Sequence, residues 1–182
     1  GVDRVFEINR NFRNEGADSS HSPEFTALEA YEAYSDYDGM AELTRNLVQQ
    51  AARDAFDLPE GREVVTLADG TEYDLSGEWD KIDLYTSVSE ALGEEITVET
   101  PREQLVAYAE KIGLEIDDYA VAGKVVEDIF EELVGNKLWA PTFVYDFPED
   151  TSPLTRYHRS KPGLTEKWDL YVRGFETATA YS

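Results

Sequence analysis

The spacing of apolar residues changes several times along the chain, and each change marks an element. Between Val2 and Arg13, Phe6, Ile8 and Phe12 fall in step with a two-residue period and Val5 falls out of it, which predicts a strand. Residues 14–24 are crowded with Gly, Asp, Ser and Pro and read as a loop. Phe25 to Tyr37 supports two readings. Its Ala, Leu and Glu favour helix by propensity, and Tyr31, Tyr34 and Tyr37, three apart, would fit a helical stripe. Asp38 to Phe56 is the clearest helix, with Met40, Leu43, Leu47, Ala51 and Ala55 on one face and Asp57-Leu58-Pro59 ending it. Glu63–Leu67 and Thr71–Leu75 flank Ala68-Asp69-Gly70, a hairpin signal, and Trp79–Tyr85 alternates as another strand.

The next stretch is helical. Ser87 and Glu90 have capping-box spacing for a short helix. Thr100-Pro101-Arg102-Glu103 predicts a second start, with Thr100 as the cap and Gly113 as the stop. Asp117 to Val134 carries Val121, Val125, Ile129, Phe130 and Leu133 at helical spacing. Residues 86–136 therefore read as a small helical insert between strands. Thr142 to Phe147 returns to a β pattern, residues 146–162 form a polar loop, and Trp168–Arg173 with Phe175–Tyr181 predict a hairpin turning at Arg173-Gly174.

Charge and composition narrow the chemistry. The 182 residues carry 16 Lys+Arg against 39 Asp+Glu, a net charge of −23. A duplex-binding surface is ordinarily basic, so a DNA-binding role is not expected. An acidic balance fits a solvated surface or a pocket for a cationic small molecule. With no cysteine, thiolate metal sites, disulfides and cysteine nucleophiles are excluded, and two histidines cannot build a multi-histidine metal site alone. No apolar run approaches the ~18 residues of a membrane span. The chain opens on Gly1 and runs directly into a strand pattern, so a piece of a longer protein is expected.

The informative segment is Asn11-Phe12-Arg13-Asn14-Glu15-Gly16, then His21-Ser22-Pro23-Glu24-Phe25-Thr26-Ala27-Leu28-Glu29-Ala30-Tyr31. A guanidinium can hold phosphate with two parallel hydrogen bonds, a phenyl face can stack on a planar base, and a glutamate can accept from an exocyclic amine. By residue chemistry this is a nucleotide site or a set of surface ion pairs beside a hairpin loop. Asp169 and Glu176 carry a second possibility. With a two-residue turn at Arg173-Gly174, residue 171 opposes 176 and residue 169 opposes 178, which puts both carboxylates on one face. Two hard oxygen ligands on one face suit magnesium; a solvated strand face is the other reading.

The phrase FRNEG with H-x-PEFT and LE-x-Y resembles motif 2 of the class II lysyl-tRNA synthetases. The flanks agree: Arg4 to Arg10 before it, Ala33-Tyr34-Ser35-Asp36-Tyr37 after it, then Asp146-Phe147-Pro148 and Thr151-Ser152-Pro153-Leu154. Glu166-Lys167-Trp168-Asp169-Leu170 resembles the actinobacterial branch. The resemblance implies an α+β fold: an antiparallel active-site sheet of the class II aminoacyl-tRNA synthetase type, with flanking helices and the helical insert. Residues 1–85 would be the first part of the catalytic sheet with motif 2 and its helix, and 137–182 the last part. Residues 25–36 would be a strand.

It further implies ATP-dependent activation of L-lysine and transfer to tRNA(Lys) by an intact cytoplasmic homodimer, with Mg2+ as cofactor. Arg13 would clamp the α-phosphate and the amino-acid carboxylate, Glu15 would meet the adenine amine, His21 would face the distal phosphates, and Phe25 would stack under adenine. Glu29 would hold the lysine α-ammonium, with Tyr31, Thr179 and Tyr181 lining the lysine site. Asp169 and Glu176 would be the magnesium carboxylates. Three positions depart from the family pattern: Ser20 where arginine is common, Asp169 for glutamate, and Thr179 for asparagine. The anticodon-binding barrel and the family's first and third motifs are not in this sequence. Two rival readings are a paralogue that lysylates a lipid or protein, and a non-catalytic nucleotide-binding fragment.

Overall fold

A computed structural model describes residues 1–14, 16–17 and 21–182. The chain divides into two compact units, Gly1–Ser35 and Asp36–Ser182. The first is a hairpin of β1 (Arg4–Phe12) and β2 (Glu24–Glu32). Nine antiparallel pairs run from Arg4 opposite Glu32 to Phe12 opposite Glu24. Backbone hydrogen bonds from Ala33 N to Asp3 O (2.8 Å) and from Arg13 N to Pro23 O (3.0 Å) lengthen the ladder at both ends. Ladder pairing thus overrides the helix propensity of Phe25 to Tyr37. The strand stops at Glu32, short of the expected residue 36, because Tyr34 takes a positive φ of 63° that breaks the pleat.

The second unit is built on a four-stranded sheet in the order β5 (Asp80–Asp83), β6 (Thr142–Pro148), β7 (Leu164–Val172), β8 (Phe175–Tyr181). The expected all-antiparallel sheet needs one correction, since β5 and β6 run parallel. Their connection is long and helical, and such a crossover is what a parallel pair requires. The strand expected over Trp79–Tyr85 is correspondingly short, because Leu84 already begins a helix.

Both faces of β6 and β7 are buried, so alternate side chains feed two cores. Phe143, Trp168 and Leu170 pack on one face with α1 (Tyr37–Phe56) and the hairpin of β3 (Val64–Thr66) and β4 (Glu72–Asp74). Val144, Phe147 and Tyr171 pack on the other with α2 (Leu84–Leu92), α3 (Arg102–Lys111) and α4 (Ala122–Leu133). The switch from Tyr145 to Phe147 is made by a bulge at Asp146, whose φ is 66°. The buried Asp146 carboxylate is held by Tyr37 Oη at 3.0 Å and Lys161 Nζ at 2.5 Å.

Helix starts were the least legible features. Asp36 caps α1, accepting from Gly39 N at 3.1 Å. Asp83 caps α2, accepting from Thr86 N at 3.0 Å, so the Ser87/Glu90 capping box is not used. Pro101 occupies the cap position of α3, while Thr100 Oγ1 turns back to accept from Thr97 N at 2.9 Å. The last helix starts at Ala122, after a turn over 117–120. No helix among the described residues is long and apolar enough to cross a membrane.

Candidate functional site

The hairpin unit presents a row of polar and aromatic side chains. Phe25, Ala27, Glu29 and Tyr31 alternate onto one face of β2, opposite Asn11, Asn9, Glu7 and Val5 of β1. Arg13 follows the last strand pair, and its guanidinium carbon lies 5.4 Å from the centroid of the Phe25 ring. A charged fork and an aromatic face therefore share one end of the row. At the other end Tyr31 Oη donates to Glu29 Oε2 at 3.5 Å. Glu7 and Glu29 stand directly opposite each other across the ladder. Facing carboxylates destabilise a sheet, and a cation between them relieves the cost. His21 is exposed where the chain returns to β2. Glu15 and Ser20 lie outside the described residues.

In the second unit, β7 and β8 turn through Arg173 (φ 56°) and Gly174 (φ 77°), the two positive angles of a tight hairpin turn. A side chain at Gly174 would also meet Asn136 O at 2.5 Å. Tyr171 opposes Glu176 as expected, but Asp169 opposes Thr179, not Ala178. The one-residue difference is a bulge on β8, where Thr177 Oγ1 donates to Leu170 O at 3.0 Å. The extra residue resets the alternation beyond Glu176. Lys167, Asp169, Tyr171, Glu176, Thr179 and Tyr181 consequently share a face, whereas a regular ladder would send Thr179 and Tyr181 to the other side.

This face is strongly acidic. Asp169 is 4% exposed; its Oδ2 accepts from Lys167 Nζ at 2.9 Å, while its Oδ1 is buried without a hydrogen-bond partner. Glu176 is exposed as a residue, but atoms packed around its carboxyl group cost it hydration. That desolvation, and then the Asp169 charge, push its pKa up to about 7. Helix α4 adds two carboxylates not anticipated from the sequence. Burial raises the Glu127 pKa, against a hydrogen bond from Thr151 Oγ1 at 2.6 Å. Glu131 accepts from Tyr171 Oη at 2.9 Å. The four-residue spacing of Glu127 and Glu131 was the available signal, since it puts both on one helical face. Among the described residues, no three His, Asp or Glu are grouped to hold a metal by protein ligands alone.

The whole chain, residues 1–182, matches the family described as tRNA synthetases class II (D, K and N). It is 61% identical to a lysine–tRNA ligase of Kineococcus radiotolerans and 60% identical to one of Mycolicibacterium gilvum, in each case over all of this chain and 36% of the relative. It is also 46% identical, over all of the chain, to the lysylphosphatidylglycerol biosynthesis bifunctional protein LysX of Gordonia bronchialis, of which it covers 16%. The chain thus spans about a third of the length of the ligases it matches. On this whole-length match it belongs to the class II tRNA synthetases of the D, K and N group.

Proposed function

We propose that this chain is part of the catalytic region of a lysine–tRNA ligase. The longer protein would activate L-lysine with ATP to lysyl-adenylate and then transfer lysine to tRNA(Lys). The observation that carries this reading is the 53–61% identity to proteins named lysine–tRNA ligase over its whole length. The geometry of Arg13, Phe25 and Glu29 is consistent with it. Arg13 beside the Phe25 ring can grip an α-phosphate while the ring stacks on adenine. Glu15 would accept from the adenine amine, and His21 would meet the outer phosphates. Glu29, facing Glu7 and touching Tyr31, offers the negative charge that the lysine α-ammonium needs. Thr179 and Tyr181, turned onto the acidic face by the β8 bulge, would line the lysine site.

The proposed reaction needs no protein nucleophile. The lysine carboxylate attacks the α-phosphorus in line and pyrophosphate leaves, so the protein contributes positioning and charge neutralisation. Asp169 and Glu176 fit a divalent cation: one buried Asp169 oxygen has no partner, and the carboxyls raise each other's energy. Mg2+ held there would neutralise phosphate charge. A homodimer and a cytoplasmic setting belong to the same proposal.

The lipid-lysylating reading has one observation in its favour, the LysX match, but at 46% identity against 61% for a ligase. Arg13→Ala in the longer protein tests the site. It is expected to lower lysine-dependent ATP–pyrophosphate exchange by about 100-fold or more, the scale of losing a charge-stabilising donor. Unchanged exchange would overturn the assignment of Arg13.

A further inference from the structure

Lys167 and Asp169 are two residues apart on β7 and project from the same face. The Lys167 ammonium donates to Asp169 Oδ2 at 2.9 Å and sits 3.8 Å above the centroid of the buried Phe147 ring. Its side chain is 21% exposed, so the stem is packed and the head has a defined seat. The two oxygens of Asp169 are therefore unequal. Oδ2 is engaged, while Oδ1 is buried, unpartnered and left for a cation.

We propose that Lys167 is a positioning residue and tethered counter-ion for Asp169, engaging Oδ2 so that Oδ1 stays without a partner, while weakening the carboxylate's hold on a divalent cation that arrives without nucleotide. This rests on the reading of Asp169 as a metal carboxylate. A magnesium-like ion bonds oxygen at ~2.0–2.1 Å, so an ion on Oδ1 lies roughly 5 Å from the ammonium. Repulsion at that distance is substantial, even with solvent screening. A triphosphate brings enough negative charge to offset it. The device makes the carboxylates a poor trap for free metal and a good seat for metal already on a nucleotide.

The test is a titration of the full chain with Mn2+ alone, reading free Mn2+ by electron paramagnetic resonance. Lys167→Met is expected to bind Mn2+ about tenfold more tightly than the parent. Lys167→Arg, which keeps the charge, is expected to match the parent, and Asp169→Asn added to Lys167→Met removes the gain. Equal or weaker Mn2+ binding by Lys167→Met overturns the proposal. Lys167→Gln serves as the neutral variant if circular dichroism shows the Met variant unfolded. A parallel titration with Mn2+–ATP separates the two claims. Equal affinities of the parent and Asp169→Asn there would overturn the metal reading of Asp169 and this proposal with it. Weaker binding by Asp169→Asn, with no gain in Lys167→Met on Mn2+ alone, would overturn only the role given to Lys167.

Discussion

Replacing Trp168 with phenylalanine tests how firmly β7 is seated. Trp168 is 1% exposed, packs edge-on against Phe143 at 4.8 Å, and donates from Nε1 to Tyr37 O at 2.7 Å. The smaller ring leaves roughly 40 Å3 unfilled, which costs about 1 kcal/mol at ~24 cal/mol per Å3. The lost apolar area costs about 1 kcal/mol more. The missing hydrogen bond, the strand's tie to the first turn of α1, adds about 1 kcal/mol. Trp168→Phe should therefore destabilise the chain by about 3 kcal/mol, a large share of the ~5–15 kcal/mol typical of a domain. The measurement is urea unfolding followed by far-ultraviolet circular dichroism, with Trp139→Phe as the reference. Trp139 is 52% exposed; its backbone carbonyl accepts from Tyr73 Oη, and its ring meets the Tyr73 ring at 5.7 Å and Arg173 at 5.3 Å, contacts a phenyl ring largely keeps, so its substitution should cost about 1 kcal/mol or less. A Trp168→Phe cost no larger than that of Trp139→Phe would refute the placement of this strand.

Other outcomes follow from individual contacts. Gly123→Ala puts a methyl 2.5 Å from Pro148 Cβ at the start of α4, and should lower stability by about 1–3 kcal/mol in the same urea assay. Glu176 has its pKa raised from 4.5 to about 7, so the folded chain keeps this proton over a range where the unfolded chain has lost it. Its contribution is full below pH 4.5 and is lost as pH rises toward 7; Glu176→Gln should flatten that part of the stability profile. Glu63 behaves oppositely. The hydrogen bond from Arg53 at 2.5 Å lowers its pKa below 4.5, so the pair stabilises at neutral pH and fails on acidification. Arg53→Met should weaken the acid-side loss, read as melting temperature between pH 6 and 3.

Which features were legible depended on whether local pattern and tertiary context agreed. Apolar residues at helical spacing marked α1, but Leu43, Leu47, Ala51 and Ala55 of the expected stripe are exposed, and Ala41, Val48 and Ala52 pack into the core instead, because Ala and Leu favour helix on either face and only tertiary packing chooses the buried one. Asp-Gly marked the β3–β4 turn because Gly70 takes a φ of 85°, as the turn requires. The strand character of β2 came through the family resemblance, since Ala, Leu and Glu alone favour helix. The caps of α2 and α3 were hidden because several Ser, Thr and Asp residues compete to be the first acceptor, and chain geometry selects one. The parallel β5–β6 pair was hidden because strand direction depends on the crossover between them, not on either strand's residues. At the candidate site, the chemical types and the shared face of Asp169 and Glu176 could be read from the sequence, but not the facing of Thr179 and Tyr181. The bulge at Thr177, a single extra residue, decides which side Thr179 and Tyr181 occupy. Packing brings Lys167 to the carboxylate of Asp169 and places Glu127 where it feels that charge.

Amino-acid-dependent ATP–pyrophosphate exchange by the longer protein, with lysine, aspartate and asparagine compared at equal concentration, tests the proposed function most directly. The account predicts exchange with lysine and at least about a hundredfold less with the other two, since the chain is 60–61% identical over its whole length to proteins named lysine–tRNA ligase. Exchange with aspartate or asparagine at a rate equal to lysine, or none with lysine, would contradict it.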